Sequence, residues 1–312
     1  MSVDVASEPQ LPQIDTIQAE DVIEAAPSSL SALWQVLRKD RLAMAGVVIY
    51  LIAIFFAIFG PALAPHDPQQ VMKENGQWLM NLTPQPGYWL GTTNMARDIF
   101  SQLLYGARPA VVVGFSAAFM VVAIGTIIGL IAGYFGNRAD SFLMRIADIA
   151  FSIPFLPFVI VLVAFLDPSL WNIVLAMALL FWCNTARVIR SQVLVIKERD
   201  FVEAAKVAGA SAWRILFVYV APNILPLALL YGSLAMGWAI LTEASVSFLG
   251  FGDPDVISWG YMLQDAYSAQ AMTRGAWYWI IPPGLCIMAM VMAGFFIGRG
   301  TEELLFPRLR ER

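Results

Sequence analysis

Histidine and cysteine side chains could act here as bases, nucleophiles or metal ligands, but they are few and scattered. The one histidine, His66, stands alone at the end of an apolar run, and the two cysteines, Cys183 and Cys286, lie in separate apolar runs. The sequence contains no glycine-rich phosphate loop, no His-Glu-x-x-His motif and no Gly-x-Ser-x-Gly motif. We therefore predict no catalytic residues, no metal site and no cofactor in this chain, and no ATP hydrolysis by the chain alone.

A polar and charged stretch, Arg199–Arg214, lies between two long apolar runs. Glu203–Ala205 favours a helix, and Gly209 would end it because glycine tolerates positive φ. Ser211 could then cap a second short helix. Two short helices bent at a glycine would form a compact knob that fits a groove on another protein, and the alternative is an ordinary solvated loop.

The composition indicates which class of protein must position this stretch. Of 312 residues, 59% are hydrophobic and 13% are charged, and the mean hydropathy is +0.68. A soluble domain is about 45–50% apolar and about 25% charged. The sequence therefore predicts an all-α, polytopic membrane protein, and the net charge of −4 gives no support for nucleic-acid binding.

Six apolar runs are each close to the ~20 residues that cross a bilayer as a helix. Pro154 and Pro157 predict that the third span is kinked or broken. The predicted spans are about Leu42–Leu63, Ala110–Phe135, Ile146–Phe165, Leu170–Val188, Ile224–Thr242 and Trp277–Ile297.

Three side chains in or beside these spans are candidates for a translocation path: Trp182, Asn184 and Glu243. Carboxylates inside membranes are costly and are usually paired or face water. We interpret Glu243 first as an internal hydrogen-bond or helix-end residue, with substrate contact as the alternative. Aromatic and methionine side chains of the spans, including Trp182, Trp238 and Met236, are interpreted first as packing residues.

The positive charges predict the orientation of the spans. If both termini are cytoplasmic, inner segments carry fifteen lysines and arginines and outer segments carry four. We therefore predict a cytoplasmic N-terminal tail at residues 1–41 and a transmembrane domain at residues 42–312. Within the tail, Ser28–Arg41 would be an amphipathic helix on the inner leaflet or the first turns of span one. The C-terminal arginines Arg308, Arg310 and Arg312 would bind the anionic inner leaflet.

Local contacts are also predicted outside the spans. Thr93 or Asn94 could cap a helix in the first outer loop. On the inner side, Arg145 and Asp148 lie at helical spacing, which predicts a local ion pair.

The stretch Arg199–Arg214 resembles the EAA loop of ABC importer permeases. Glu-Ala-Ala at 203–205 is followed after three residues by Gly209, and Pro222 stands thirteen residues further on. The wider run 197–205 resembles the dipeptide/oligopeptide/nickel branch, whereas Ala221 replaces the leucine that this family usually has before the proline. In the family the loop binds the ATP-binding subunit. For the coupling loop, residues 197–214, the resemblance implies these ATPase-coupling residues: Arg199, Asp200, Glu203, Ala204, Ala205, Lys206, Gly209 and Ser211.

The resemblance covers residues 32–310 and implies a C-type permease subunit of an ATP-driven importer for peptides or related small solutes. It implies as partners a second permease subunit, two ATP-binding subunits that carry ATP and Mg, and an external solute-binding protein. The outer loop Phe248–Ala276 could contact that binding protein or form a re-entrant loop. The implied location is the cytoplasmic membrane of a bacterium or archaeon. An ATP-independent carrier or channel is the alternative function.

Overall fold

The computed structural model describes residues 38–305. In these residues the fold is almost entirely helical, and the strands form one hairpin of two-residue strands, β1 (Lys73–Glu74) and β2 (Gln77–Trp78). The helices are α1 (Arg41–Leu63), α2 (Ile99–Phe135), α3 (Asn137–Ser152), α4 (Phe155–Leu166), α5 (Leu170–Leu180), α6 (Trp182–Ile196), α7 (Asp200–Val207), α8 (Ala212–Phe248, with a π-helical segment Ile215–Val220), α9 (Trp259–Ser268) and α10 (Trp277–Leu305).

By length and composition, five helical runs of the described residues could cross a membrane, or up to six if the bent pair α3–α4 forms one span. That pair bends by 81°. Pro154 stands just before α4 in an extended conformation, as expected for a residue that cannot continue the preceding helix. The all-α, polytopic fold and the break at Pro154 are therefore confirmed, and the predicted number of six spans applies if the bent pair crosses the membrane.

The helix that contains the second predicted span begins before that span. Helix α2 begins at Ile99 and continues through Pro109, so the expected outer helix and the span are parts of one helix. Asp98, and not Thr93 or Asn94, caps it, because the Asp98 carboxylate accepts a hydrogen bond from the Ser101 amide at 3.0 Å. The Thr93 hydroxyl instead accepts from backbone amides of the preceding turn.

Helices α2 and α6 cross with their backbones unusually close. Gly125, Gly129 and Gly133 form one stripe of α2, four residues apart. A Cβ added at Gly129 would lie 2.7 Å from the Ala186 carbonyl oxygen, and one added at Gly133 would lie 2.7 Å from Cβ of Val193. Small residues at this spacing allow membrane helices to approach closely. The glycine stripe therefore fixes α6 against α2, and α6 leads into the coupling loop.

Two ion pairs join α3 to α6. Arg190 forms a bidentate pair with Asp140, and Arg187 Nη2 lies 2.8 Å from Asp148 Oδ1. The predicted local pair between Arg145 and Asp148 is wrong, because the neighbouring helix α6 supplies the cation for Asp148. These pairs hold α3, the first helix of the bent pair, on the helix that precedes the coupling loop.

Two sequence predictions fall outside the described residues. The greater part of the predicted amphipathic helix, residues 28–37, and the C-terminal residues Arg308, Arg310 and Arg312 lie there.

Candidate coupling loop and translocation cavity

The backbone of the coupling loop follows from its sequence. After α7, Gly209 adopts a φ of +78°. The Ala210 amide donates to the Ala205 carbonyl at 3.1 Å and the Gly209 amide donates to the Lys206 carbonyl at 3.0 Å, which is a Schellman termination. The Ser211 hydroxyl then accepts from the Arg214 amide at 3.4 Å and caps the start of α8. The bent pair of helices is present as predicted.

Helix α7 buries one face and exposes the other. Val202 and Ala205 are buried against Ile196, Ile215 and Leu216 at the inner ends of α6 and α8. Val207 at the opposite face is 90% exposed. The other exposed residues of the loop include most of the predicted coupling set: Arg199, Asp200, Glu203, Ala204, Lys206, Gly209 and Ser211. Ala205 is the predicted coupling residue that packs inward.

A row of aromatic rings lies beside this face. Trp213 stacks on Phe217 with ring centroids 5.8 Å apart, and it meets Phe135 edge-on at 5.3 Å. All three rings are exposed, Trp213 by 54%. Large exposed apolar patches bordered by polar residues mark contact surfaces. The coupling loop therefore presents charged and apolar groups together.

The loop is joined firmly to the bundle. Lys197 Nζ donates to the Gly133 carbonyl at 3.3 Å, at the inner end of α2. The Arg199 amide donates to the Ile196 carbonyl at 3.1 Å. A force on α7 would thus be transmitted to α6, α2 and, through the two ion pairs, to α3.

A cavity of about 360 Å³, the central cavity, is lined by α2, α8, the break at α3–α4 and the junction of α5 with α6. Its walls are mainly apolar and aromatic, and Asn184, Thr185 and Tyr231 contribute polar groups. Such a size and lining are typical of small-molecule sites.

The three predicted path residues occupy different places. Asn184 is exposed and lines the central cavity. Trp182 is buried behind it, and its indole donates to the Leu179 carbonyl at 2.9 Å, next to the junction of α5 with α6. Glu243 is 2% exposed at the outer end of α8 and accepts a hydrogen bond from Ser247 at 2.7 Å. Neither Trp182 nor Glu243 lines the central cavity.

Of the residues that line the cavity, sequence reasoning proposed only Asn184 for the path, and Trp238 is one of those that it missed. It was interpreted as a packing residue, yet it is 55% exposed and lines the central cavity. The signal that could have found it is helical spacing, because Tyr231, Leu234 and Trp238 form one stripe of α8 on the same cavity.

The loop between α1 and α2, together with α9, carries buried polar groups of its own. His66 stacks on Tyr88 with ring centroids 5.1 Å apart, and its Nδ1 lies 3.5 Å from Asp98 Oδ2. Burial raises the pKa of Asp265 in α9, whereas the nearby Arg97 guanidinium acts in the opposite direction. Over residues 38–305, no cluster of three or more His, Cys, Asp or Glu side chains is arranged to hold a metal ion.

Comparison with known proteins identifies the family. Residues 125–311 match the binding-protein-dependent transport system inner membrane component, and residues 28–84 match the N-terminal TM domain of oligopeptide transport permease C. The chain belongs to this family of inner membrane components. The match confirms the resemblance that the coupling loop suggested, and it decides against an ATP-independent carrier.

Individual relatives align over almost the whole chain. The chain is 35% identical over 295 residues to the dipeptide transport system permease protein DppC of Bacillus subtilis, which covers 94% of this chain and 90% of that protein. It is 37% identical over 300 residues to the oligopeptide transport system permease protein OppC of the same organism, and the alignment covers 94% of this chain and 95% of that protein. The di/tripeptide transport system permease protein DppC of Pseudomonas aeruginosa is 34% identical over 300 residues, and the alignment covers 94% of this chain and 96% of that protein. This chain is therefore a permease subunit and not an enzyme, and ATP hydrolysis belongs to separate subunits.

Proposed function

We propose that the chain is the C-type permease subunit of an ATP-driven importer of peptides. The relatives named above are dipeptide, di/tripeptide and oligopeptide permeases, which supports peptides as the transported class. The proposed partners are a second permease subunit, two ATP-binding subunits that carry ATP and Mg, and an external solute-binding protein. The proposed site of action is the cytoplasmic membrane of a bacterium or archaeon, with both termini and the coupling loop on the cytoplasmic side.

One observation carries the coupling role. Helix α7 is attached to the bundle through Val202 and Ala205, while no other part of residues 38–305 buries its opposite face, which carries Glu203 and Val207. A helix that is held on one side and exposed on the other can transmit the movement of a bound subunit. We infer that the ATP-binding subunit covers this free face.

The transmission route follows from the contacts. Closure of the ATPase dimer on ATP would move α7, and the packing of Val202 and Ala205 would carry that movement to α6 and α8. The ion pairs of Asp140 and Asp148 would carry it to α3, whose end, at Ala150 and Phe151, lines the central cavity. In this proposal alternating access arises because the coupling loop and the cavity wall move as one body.

The path residues take different roles in the same proposal. Asn184 contacts the transported molecule in the central cavity, and Trp182 supports the junction of α5 with α6 behind it. Glu243 holds the outer end of α8 through Ser247 and contacts the solute only if the outer loop opens.

Assembly tests the coupling role most simply. Val207→Asp places a charge on the most exposed apolar residue of α7 without touching the bundle. We expect the ATP-binding subunits to be lost when the variant is purified from cells that express all subunits, because the carboxylate would be desolvated in the interface. The matched control is Met272→Asp, since Met272 is 60% exposed in the outer loop between α9 and α10.

The two variants must differ for the proposal to stand. Loss of the ATP-binding subunits from Val207→Asp but not from Met272→Asp supports it. If Val207→Asp retains a full complement of ATP-binding subunits and imports peptide at the wild-type rate, the proposed docking face is wrong.

A further inference from the structure

The central cavity has an unusually aromatic wall. Five of its fifteen lining residues are aromatic, against 12% of the whole sequence. Two of them are Phe155, at the α3–α4 break, and Phe181, at the junction of α5 with α6, and their ring centroids lie 4.5 Å apart. The aromatic residues of the wall are Phe151, Phe155, Phe181, Tyr231 and Trp238. Aromatic side chains provide large apolar contact areas and pair well with other rings.

The same cavity contains an amide that lacks a partner. Asn184 lies in the middle of the span α5–α6, its side chain is exposed, and no described residue forms a hydrogen bond with it. A polar group at membrane depth is costly unless it faces a water-filled or ligand-filled space. An acyl chain would fill the aromatic wall but leave the Asn184 amide unpaired, whereas a peptide offers both an apolar side chain and backbone amides.

One helix break, at α3–α4, and the junction of α5 with α6 lie at this cavity. Ile153, just before Pro154, and Phe181, between α5 and α6, both line it. Interrupted helices at membrane depth are tolerated where they line a cavity, and in transporters they often flank the solute.

Trp238 lies on a stripe of α8 that also reaches a second depression. The α8 stripe that includes Tyr231 and Trp238 continues outward to Leu241 and Ser245. These last two line an outer groove of about 380 Å³. Since Trp238 is half exposed, its ring is available to a molecule that moves along this stripe.

From these observations we propose that Trp238 contacts the transported peptide and, with the aromatic wall, favours peptides with large apolar side chains, while Asn184 binds their backbone. This assignment rests on the proposed peptide import. It adds a selectivity site inside the membrane to whatever selection the external binding protein exerts.

Uptake of two dipeptides tests the selectivity. The intact transporter in proteoliposomes, with saturating binding protein, imports alanyl-phenylalanine and alanyl-alanine, and the ratio of their initial rates is measured for each variant. Because the binding protein is the same throughout, its own preference cancels when variants are compared with wild type. We expect Trp238→Ala to lower the ratio by about threefold to tenfold and Trp238→Phe to restore most of it.

The matched control is Trp171→Ala. Trp171 is 62% exposed on α5 but does not line the central cavity. Its replacement should leave the ratio unchanged. Equal ratios for Trp238→Ala and wild type would overturn the proposal, as would an equal fall in the Trp171→Ala variant.

A photoreactive side chain gives an independent readout. With p-benzoylphenylalanine at position 238, illumination during turnover should cross-link labelled alanyl-phenylalanine to this chain, and the same probe at position 171 should not. Cross-links only to lipid or only to the second permease subunit would overturn the proposal. If the wild-type transporter imports neither dipeptide, the proposed function itself fails, which is a different result from peptide uptake without contact at position 238.

Discussion

The turn at Gly209 gives the sharpest prediction for the coupling loop. Its φ of +78° lies in the left-handed region, and a Cβ added there would meet nothing within 4 Å. A substitution therefore acts only through backbone conformation and not through a collision. We expect Gly209→Val to leave the protein inserted and assembled but to uncouple ATP hydrolysis from uptake, because α7 and α8 would no longer be held at a fixed angle.

The size of the effect follows from the left-handed backbone. The left-handed conformation is less stable by roughly 1–2 kcal/mol for an L-residue with a Cβ, which corresponds to about a 5- to 30-fold loss in the population of the native turn. A β-branched residue lies at the upper end, while asparagine is much more tolerant of this region. Peptide imported per ATP hydrolysed should therefore fall in the order glycine, asparagine, alanine, valine.

The assay is peptide uptake and phosphate release measured on the same proteoliposomes. Gly275→Val is the matched control, because Gly275 has a φ of +70°, also has open space around it, and lies in the outer loop before α10. The control carries the same backbone strain far from the coupling loop. A wild-type ratio of uptake to hydrolysis in Gly209→Val, or an equal loss in Gly275→Val, would refute the reasoning.

Three further predictions concern stability. Gly129→Ala should lower the free energy of unfolding, measured by denaturation in detergent, by about 1–3 kcal/mol, because the added Cβ would lie 2.7 Å from the Ala186 carbonyl oxygen. Gly232→Ala is the control and should leave the free energy of unfolding unchanged, because the added Cβ would meet no atom closer than 3.7 Å. A double-mutant cycle of Asp140→Asn and Arg190→Gln should give a coupling energy of about 1 kcal/mol from thermal unfolding, and additive effects would show that the pair contributes nothing. Because burial raises the pKa of Asp265, the stability contributed by its protonated form is full at low pH and is lost as the pH rises through the raised pKa. Asp265→Asn should therefore gain thermal stability relative to wild type as the pH rises above the ordinary aspartate pKa of about 4, and a stability difference that does not change with pH would contradict the assignment.

Much of the fold could be predicted from local chemistry. The helix break at Pro154, the turn at Gly209 and the cap at Ser211 each depend on one residue type in its own conformation, so the sequence was sufficient. The start of α2 was harder to predict. The predicted span began at about Ala110 and the outer helix was predicted separately, yet α2 continues through Pro109 and is capped by Asp98.

Contacts between distant helices could not be predicted from spacing alone. Asp148 has a cation at helical distance in Arg145, but the packing of α2 against α6 brings Arg187 to it instead. The position of Trp238 at the central cavity also could not be predicted from spacing alone. An aromatic residue in an apolar run has the same local sequence whether it packs in the core or faces a cavity, and the cavity beside Trp238 is lined by helices that are distant in sequence, including the bent pair α3–α4.

Cysteine cross-linking at position 207 tests the central claim most directly. In a chain with Cys183 and Cys286 replaced, Val207→Cys provides a single thiol on the exposed face of α7. The account predicts that this thiol cross-links to the ATP-binding subunit in the assembled, transporting complex, and that the cross-link stops uptake. A thiol that forms no cross-link and stays fully open to a water-soluble maleimide while peptide is imported would contradict it.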